Sequence, residues 1–371
     1  MATASPTVDL RQHRRASSNV PLATVGLGLG VLLSVLDQTT VAVALPRIGA
    51  ELGGFESVSW VITSYVLVST ATAPLYGRLS DRLGRRETFL AAVLLFTVAS
   101  ALSGRASSMG ELVAYRALQG LGAGGLFAIP TIALAELFPQ RLRGRVLGLL
   151  GGVFALATLG GPLAGGVITE TLGWRWIFYV NLPLGVLAIV AVARSVRLPR
   201  TDPAARIDVV GAALLAGAMV AMMLVAEWGG RRYDWQSGQI LALIAEASAL
   251  LAAFVWWERR APAPLVPLPL LGNPVIRVVL PVTLFLGALL YSLVAFLPTY
   301  FQTAHGLSPI DAGLALSPCV AAFVLASALS GWRSSATGRY KRYLVAGAAL
   351  VLVGFVLLGG VTTARSGCCG K

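Results

Sequence analysis

Residues 76–89 read Tyr76-Gly77-Arg78-Leu79-Ser80-Asp81-Arg82-Leu83-Gly84-Arg85-Arg86-Glu87-Thr88-Phe89. Six of these fourteen side chains are charged, four of them Arg. The runs on either side, 58–76 and 88–104, carry no charge at all. A helix that crosses a bilayer needs about 20 mostly apolar residues. The segment therefore reads as a short basic loop between two such helices.

Working outward, similar apolar runs recur along the chain. Eleven are legible, at roughly 20–45, 58–76, 88–104, 111–134, 146–168, 176–193, 209–227, 239–257, 278–300, 312–330 and 343–361. They lack the polar face of a soluble amphipathic helix, and they do not alternate as barrel strands do. The first run follows a basic tail, but its apolar core is longer than the 7–15 residues of a signal peptide. It also contains Asp37, and it reads as an uncleaved first span.

Composition agrees. Of 371 residues, 56% are hydrophobic and 12% charged, against about 25% charged in soluble domains. Mean hydropathy is +0.78. Such a chain cannot cover a soluble globule with polar surface, and it is far too apolar for disorder. The three Cys and two His show no disulfide or metal spacing. No nucleophile–His pair points to an enzyme.

The net charge of +13 has another origin than nucleic-acid binding. Alternating the loops from the N-terminus places 21 of the 29 Lys and Arg on one side. The positive-inside rule makes that side, with the N-terminus, cytoplasmic. The charge is spread loop by loop and forms no single basic patch.

Five stretches carry a resemblance. Gly77 to Phe89 is similar to the signature loop of the major facilitator superfamily, G-x-L-x-D-R-x-G-R-R/K. Arg116-Ala117-Leu118-Gln119-Gly120-Leu121-Gly122 resembles its fourth-helix pattern. The overlapping G-x-G-x-x-G at Gly120, Gly122 and Gly125 lies within an apolar helix, so it lacks the preceding strand of a dinucleotide site. Gly148, Gly161-Pro162 and Gly165-Gly166 resemble the fifth-helix pattern of its antiporters, with Ala157 in place of one Gly. Leu36-Asp37-Gln38-Thr39 through Pro46 looks like the first-helix pattern of the fourteen-helix drug:proton antiporters, with Ala42 in place of Asn. Trp174-Arg175-Trp176 through Asn181-Leu182-Pro183 resembles that subfamily too.

The resemblance implies an all-α polytopic membrane protein with the major-facilitator fold. Residues 1–19 would be a cytoplasmic tail and 20–195 a complete six-helix bundle. Residues 196–275 would be a linker with an extra transmembrane hairpin, 276–361 a partial second bundle, and 362–371 a short tail. About six helices are expected after the hairpin and three are present, so truncation or a shifted reading frame near the C-terminus is expected, with a genuinely shorter protein as the alternative. The loop after run ten, Gly331 to Arg342, stands where a second signature loop belongs and lacks its acidic residue.

Ionisable residues inside a span are costly and mark function by default. Asp37 lies about eight residues, or about 12 Å, from the outer end of its run, and Arg116 about five residues, or about 8 Å. That similar depth permits an ion pair, and the resemblance places both helices at the central cavity. The pair is the expected site of proton and substrate coupling. Gly77, Asp81, Arg82, Gly84, Arg85 and Arg86 form the expected conformational latch, and Gly148, Gly161, Pro162, Gly165 and Gly166 a bend or tight contact. Glu246 is a further acid inside run eight, at the periphery by resemblance. Glu111, Glu136, Asp208 and Asp311 lie near helix ends and call for no functional role.

The implied activity is proton-driven export of lipophilic or cationic compounds by alternating access. It would use the proton gradient and no cofactor, in a monomer of the plasma membrane, with no nucleic-acid partner. A carrier for another solute and a non-transporting remnant remain open.

Overall fold

The computed structural model describes residues 19–53, 57–196, 208–230, 232–262, 264–266, 268–306, 315, 317–337, 342–343 and 345–354. These residues are almost entirely helical. The only β feature among them is an isolated bridge between Gly229 and Tyr233. In chain order the helices are α1 Val20–Leu52, α2 Ser59–Leu83, α3 Arg85–Gly104, α4 Met109–Leu137 and α5 Gln140–Thr171. Then come α6 Arg175–Tyr179 and α7 Asn181–Ser195, which abut at Val180, α8 Val209–Trp228 and α9 Gly238–Glu258. A 3-10 turn at Leu268–Gly272 leads into α10 Pro274–His305, and α11 Ser317–Thr337 and α12 Val345–Gly354 follow. Helix is thus present at each of the eleven apolar runs. Asp311 lies outside the described residues.

Seven of these segments are long and apolar enough to cross a membrane: α1, α3, α4, α5, α6 with α7, α8 and α9. Helix α2 is more polar because of Ser and Thr at 63, 64, 69, 70 and 72. Several of those hydroxyls bond to backbone carbonyls, Ser64 to Val113 at 3.2 Å and Thr72 to Val68 at 2.7 Å. A satisfied hydroxyl costs little in an apolar setting. One expectation changes here. Helix α1 continues through Pro46 to Leu52, so Asp37 sits near its middle and not close to its outer end.

Helix α1 runs through the first bundle and packs on α4, α5 and α7, while α2 packs on α4 and α3 on α4 and α7. The main core joins Leu27, Val31, Phe89, Phe96, Leu126 and Val192, all almost fully buried. A second cluster, including Ile48, Val61, Leu112, Trp174 and Phe178, closes the end nearer Leu52. Close backbone approach depends on the glycines of α4. A Cβ at Gly120 would lie 2.6 Å from the Tyr65 carbonyl oxygen, and one at Gly122 2.7 Å from the Ala92 oxygen. Without a hydrophobic drive between helices in lipid, such small-residue contacts hold a bundle together.

Helices α8 and α9 form a hairpin that joins the bundle through contacts of α8 with α2. Trp228, Tyr233 and Trp235 cluster at its 229–237 turn, and Trp256 and Trp257 lie at the other end. Aromatic residues at both ends of a hairpin suit the two bilayer interfaces. Helix α11 packs on α5. There Ser327 donates to the Gly148 carbonyl at 3.4 Å, and a Cβ at Gly331 would lie 2.7 Å from the Gly144 oxygen.

Candidate functional site

Asp37 and Arg116 meet in the interior of the first bundle. Both side chains are fully buried, and Arg116 Nη1 lies 2.5 Å from Asp37 Oδ2. The other carboxylate oxygen, Oδ1, accepts from Gln119 Nε2 at 2.9 Å and from Asn181 Nδ2 at 2.7 Å. Arg116 Nη1 also donates to Gln119 Oε1 at 2.7 Å, and Nε to the Val61 carbonyl at 3.1 Å. The guanidinium lies over the Tyr65 ring, 4.2 Å from its centroid, and 5.8 Å from that of Phe178.

The elements explain this convergence. Arg116 and Gln119 are three apart on α4 and so share a face. Asp37 comes from α1, Tyr65 and Val61 from α2, and Asn181 begins α7. Asn181 Nδ2 donates also to Ser100 Oγ of α3 at 3.0 Å, and Ser100 donates to the Phe178 carbonyl at 2.8 Å. Taking two charges out of water costs several kcal/mol per ion, and only dense hydrogen bonding with opposite charge offsets it. Arg116 Nη2 and Asn181 Oδ1 stay buried without a partner among the described residues.

Gln119 and Asn181 had no role assigned from sequence. Their signal was present, since each is an amide in an apolar run, and Asn181 is the most polar residue of 176–193. Replacing Asn181 with Leu, of similar size, removes one donor to Asp37 and one to Ser100. The expected loss is about 1–3 kcal/mol, read as a lower unfolding midpoint of the detergent-solubilised protein. An unchanged midpoint would show that Asn181 is not needed to hold the carboxylate.

The basic loop builds a second cluster. Gly84 joins α2 to α3 with φ of 104°, a left-handed conformation that glycine adopts without strain. That turn aims Arg85 back at its own loop. Arg85 Nη2 pairs with Asp81 at 2.5 Å and with Glu136 of α4 at 2.9 Å, and Nη1 reaches the Gly77 carbonyl at 3.3 Å. Arg86 donates to the Ala193 carbonyl of α7 at 2.7 Å, and Arg82 is exposed. Glu136, set aside in the sequence as a helix-end residue, is therefore an ion-pair partner of Arg85.

The glycines of α5 divide between two neighbours. Gly161 faces Thr39 of α1 so closely that a Cβ would overlap the hydroxyl, and a Cβ at Gly165 would lie 2.8 Å from the Thr40 oxygen. Thr39 Oγ1 also donates to the Ala157 carbonyl at 3.2 Å. Gly148 faces Ser327 of α11, whereas Gly166 faces open space. Pro162 removes one backbone donor within α5. Near the end of α1, Glu51 accepts from Trp174 Nε1 at 2.6 Å and pairs with Arg175, whose guanidinium stacks 4.4 Å from the Trp174 ring centroid. Glu246 joins none of these clusters. It is exposed on α9, with no polar partner among the described residues.

Residues 27–367 match the model of the Major Facilitator Superfamily. The chain belongs to the major facilitator superfamily. It is 39% identical over 332 residues to an uncharacterized MFS-type transporter of Mycobacterium tuberculosis (strain H37Rv), covering 90% of this chain and 48% of the relative. It is 34% identical over 361 residues to Multidrug resistance protein 3 of Bacillus subtilis (strain 168), covering 96% and 70%. It is 32% identical over 337 residues to the Multidrug transporter protein MdtP of the same organism, covering 91% and 62%. The chain thus spans from about half to 70% of the length of these relatives.

Among solved structures, the fold is similar to the proton:xylose symporter XylE, with TM-score 0.56 and 15% identity, covering 84% of this chain and 68% of that one. It is also similar to the human organic anion transporter MFSD10, with TM-score 0.52 and 19% identity, covering 85% and 73%. The protein is a multi-pass helical membrane protein of a family of carriers, not an enzyme.

Proposed function

We propose that this major facilitator protein exchanges protons moving inward for lipophilic or cationic compounds moving outward, by alternating access across the plasma membrane with its N-terminus in the cytoplasm. The carrying observation is the buried Asp37–Arg116 pair, a carboxylate and a guanidinium 2.5 Å apart inside a membrane bundle. Membrane-embedded ionisable groups of this kind mark ion and proton pathways. The names of relatives at 32–34% identity, a multidrug resistance protein and a multidrug transporter, support a drug-like substrate class.

The charge state of Asp37 is the switch in this reading. Ionised, it holds Arg116, Gln119 and Asn181 together. On taking a proton it loses its charge, its pull on Arg116 weakens, and the four helices around it repack. Thr39 and Thr40 follow Asp37 on α1 and press against Gly161 and Gly165 of α5. Helix α5 in turn touches α11 at Gly148. A shift of α1 would thus pass through α5 to a helix of the later segment, a contiguous packed route between two arrangements. Asp81, Arg85 and Glu136 would latch the basic loop in one arrangement.

Dye efflux from cells expressing the chain, with and without a protonophore, tests this beside Asp37→Asn. Wild type should lower cell-associated dye, and the protonophore should abolish the effect. Asp37→Asn, inserted at equal abundance, should slow efflux by about a hundredfold or more, the scale of a lost essential proton-transfer group. Efflux equal in Asp37→Asn, or indifferent to the protonophore, would reject the proposal.

A further inference from the structure

Glu246 lies in the interior of an apolar helix, on a side that the described residues leave exposed. Helix α9 has 21 residues from Gly238 to Glu258. At 1.5 Å per residue, Glu246 is about 12 Å from one end and about 18 Å from the other. The buried face of α9 is marked by Ile240, Ala247, Phe254 and Glu258. Glu246 stands on the exposed side, with no polar partner among the described residues. Its two-methylene stem is too short to snorkel to the headgroups as Lys or Arg does. No lipid tail offers it a hydrogen bond, and leaving it unsatisfied in hydrocarbon is costly.

The residues around it follow a heptad. Gln239, Ala242, Glu246, Ala249, Ala253 and Trp256 are spaced three and four apart and form one stripe. All are exposed apart from Ala253, which is half-buried. Two features of this stripe are independent. The alanines flank Glu246 by one turn on each side and allow another helix backbone to approach closely. The two polar residues, Gln239 and Glu246, recur one heptad apart, as residues that set the register of a helix pair do.

We infer that this stripe of α9 is an association surface for a second copy of the chain. Both copies cross the membrane in the same direction, so a two-fold axis between them lies along the membrane normal. A residue on that axis meets its own image at the same depth. Only self-complementary groups fit there. A carboxamide donates and accepts, and so does a carboxyl group that shares a proton with its image. Gln239 and Glu246 are those two groups. The stripe carries no cation that would call for an acidic partner. This inference replaces the monomer expected from sequence and does not depend on the transport reading.

The test is the monomer–dimer equilibrium of the purified full chain in lipid vesicles, read by energy transfer between fluorescently labelled copies as the protein-to-lipid ratio is varied. Wild type should associate. Glu246→Ala should weaken association about tenfold, the value of roughly 1–2 kcal/mol for an interhelical hydrogen bond in lipid. Glu246→Gln keeps a self-complementary group and should stay within about threefold of wild type. Ala249→Leu holds the backbones apart and should weaken association at least as much as Glu246→Ala. Leu251→Ala, off the stripe, should change nothing. These positions face away from the protein's own core, so monomer folding is preserved. A wild type that stays monomeric at every density overturns the proposal, as does association unchanged by both Glu246→Ala and Ala249→Leu.

Discussion

Replacing Asp37 with alanine should destabilise the first bundle by about 3–5 kcal/mol, the cost of leaving a buried charge without its counterion. Arg116 would then keep the Val61 carbonyl, Gln119 Oε1 and the Tyr65 ring, none of which carries negative charge. Gln119 and Asn181 would each lose the acceptor they now share. Arg116→Ala should cost a similar amount, because Asp37 would keep two neutral donors and no cation. Removing both side chains should cost less than the sum, since the stranded charge disappears with its partner. The measurement is reversible unfolding of detergent-solubilised protein for wild type, both single variants and the double variant. Single losses below about 1 kcal/mol, or losses that simply add, would mean that the pair is solvated and not buried as described. This experiment reads folding alone, so it separates the structural role of the pair from its proposed role in coupling.

A second large effect is expected at Gly122. The Cβ of any other residue would lie 2.7 Å from both the Ala92 oxygen and the Phe96 nitrogen, and 2.9 Å from the Phe96 Cβ. Two of these atoms are backbone, so no side-chain rotation relieves the overlap. Gly122→Val should force α3 and α4 apart and cost about 1–3 kcal/mol or more by overpacking. It should also sharply lower the yield of monodisperse protein. Gly166→Ala is the control, because a Cβ there meets nothing within 4 Å. Comparison of unfolding midpoints and of size-exclusion profiles decides the matter. Equal behaviour of the two variants would refute the close α3–α4 contact.

The sequence revealed the helices because lipid leaves little choice. A long charge-free run can satisfy its backbone in a bilayer only as a helix or within a closed barrel, and these runs lack barrel alternation. The same cost argument singled out Asp37 and Arg116 before any contact was known. Motif spacing marked the basic loop and the glycines of α5. What each glycine is for was not legible, since spacing does not say which neighbour a helix face meets. Gly148 turned out to face α11 and Gly161 to face α1, on opposite reaches of one helix.

Neutral polar residues were harder to read than charged ones. Gln119 and Asn181 pass as ordinary residues of an apolar run, and Glu136 as a helix-end acid. Their roles come from three-dimensional neighbours that are 82, 144 and 51 positions away in the chain. Taken alone, the sequence determined the class of the protein, the place of its apolar runs, and the charges Asp37 and Arg116 that stand inside them. Only the tertiary structure decided how those charges are held. A carboxylate buried in a membrane bundle needs several donors at once, and donors from α4 and α7 reach Asp37 only when the helices pack.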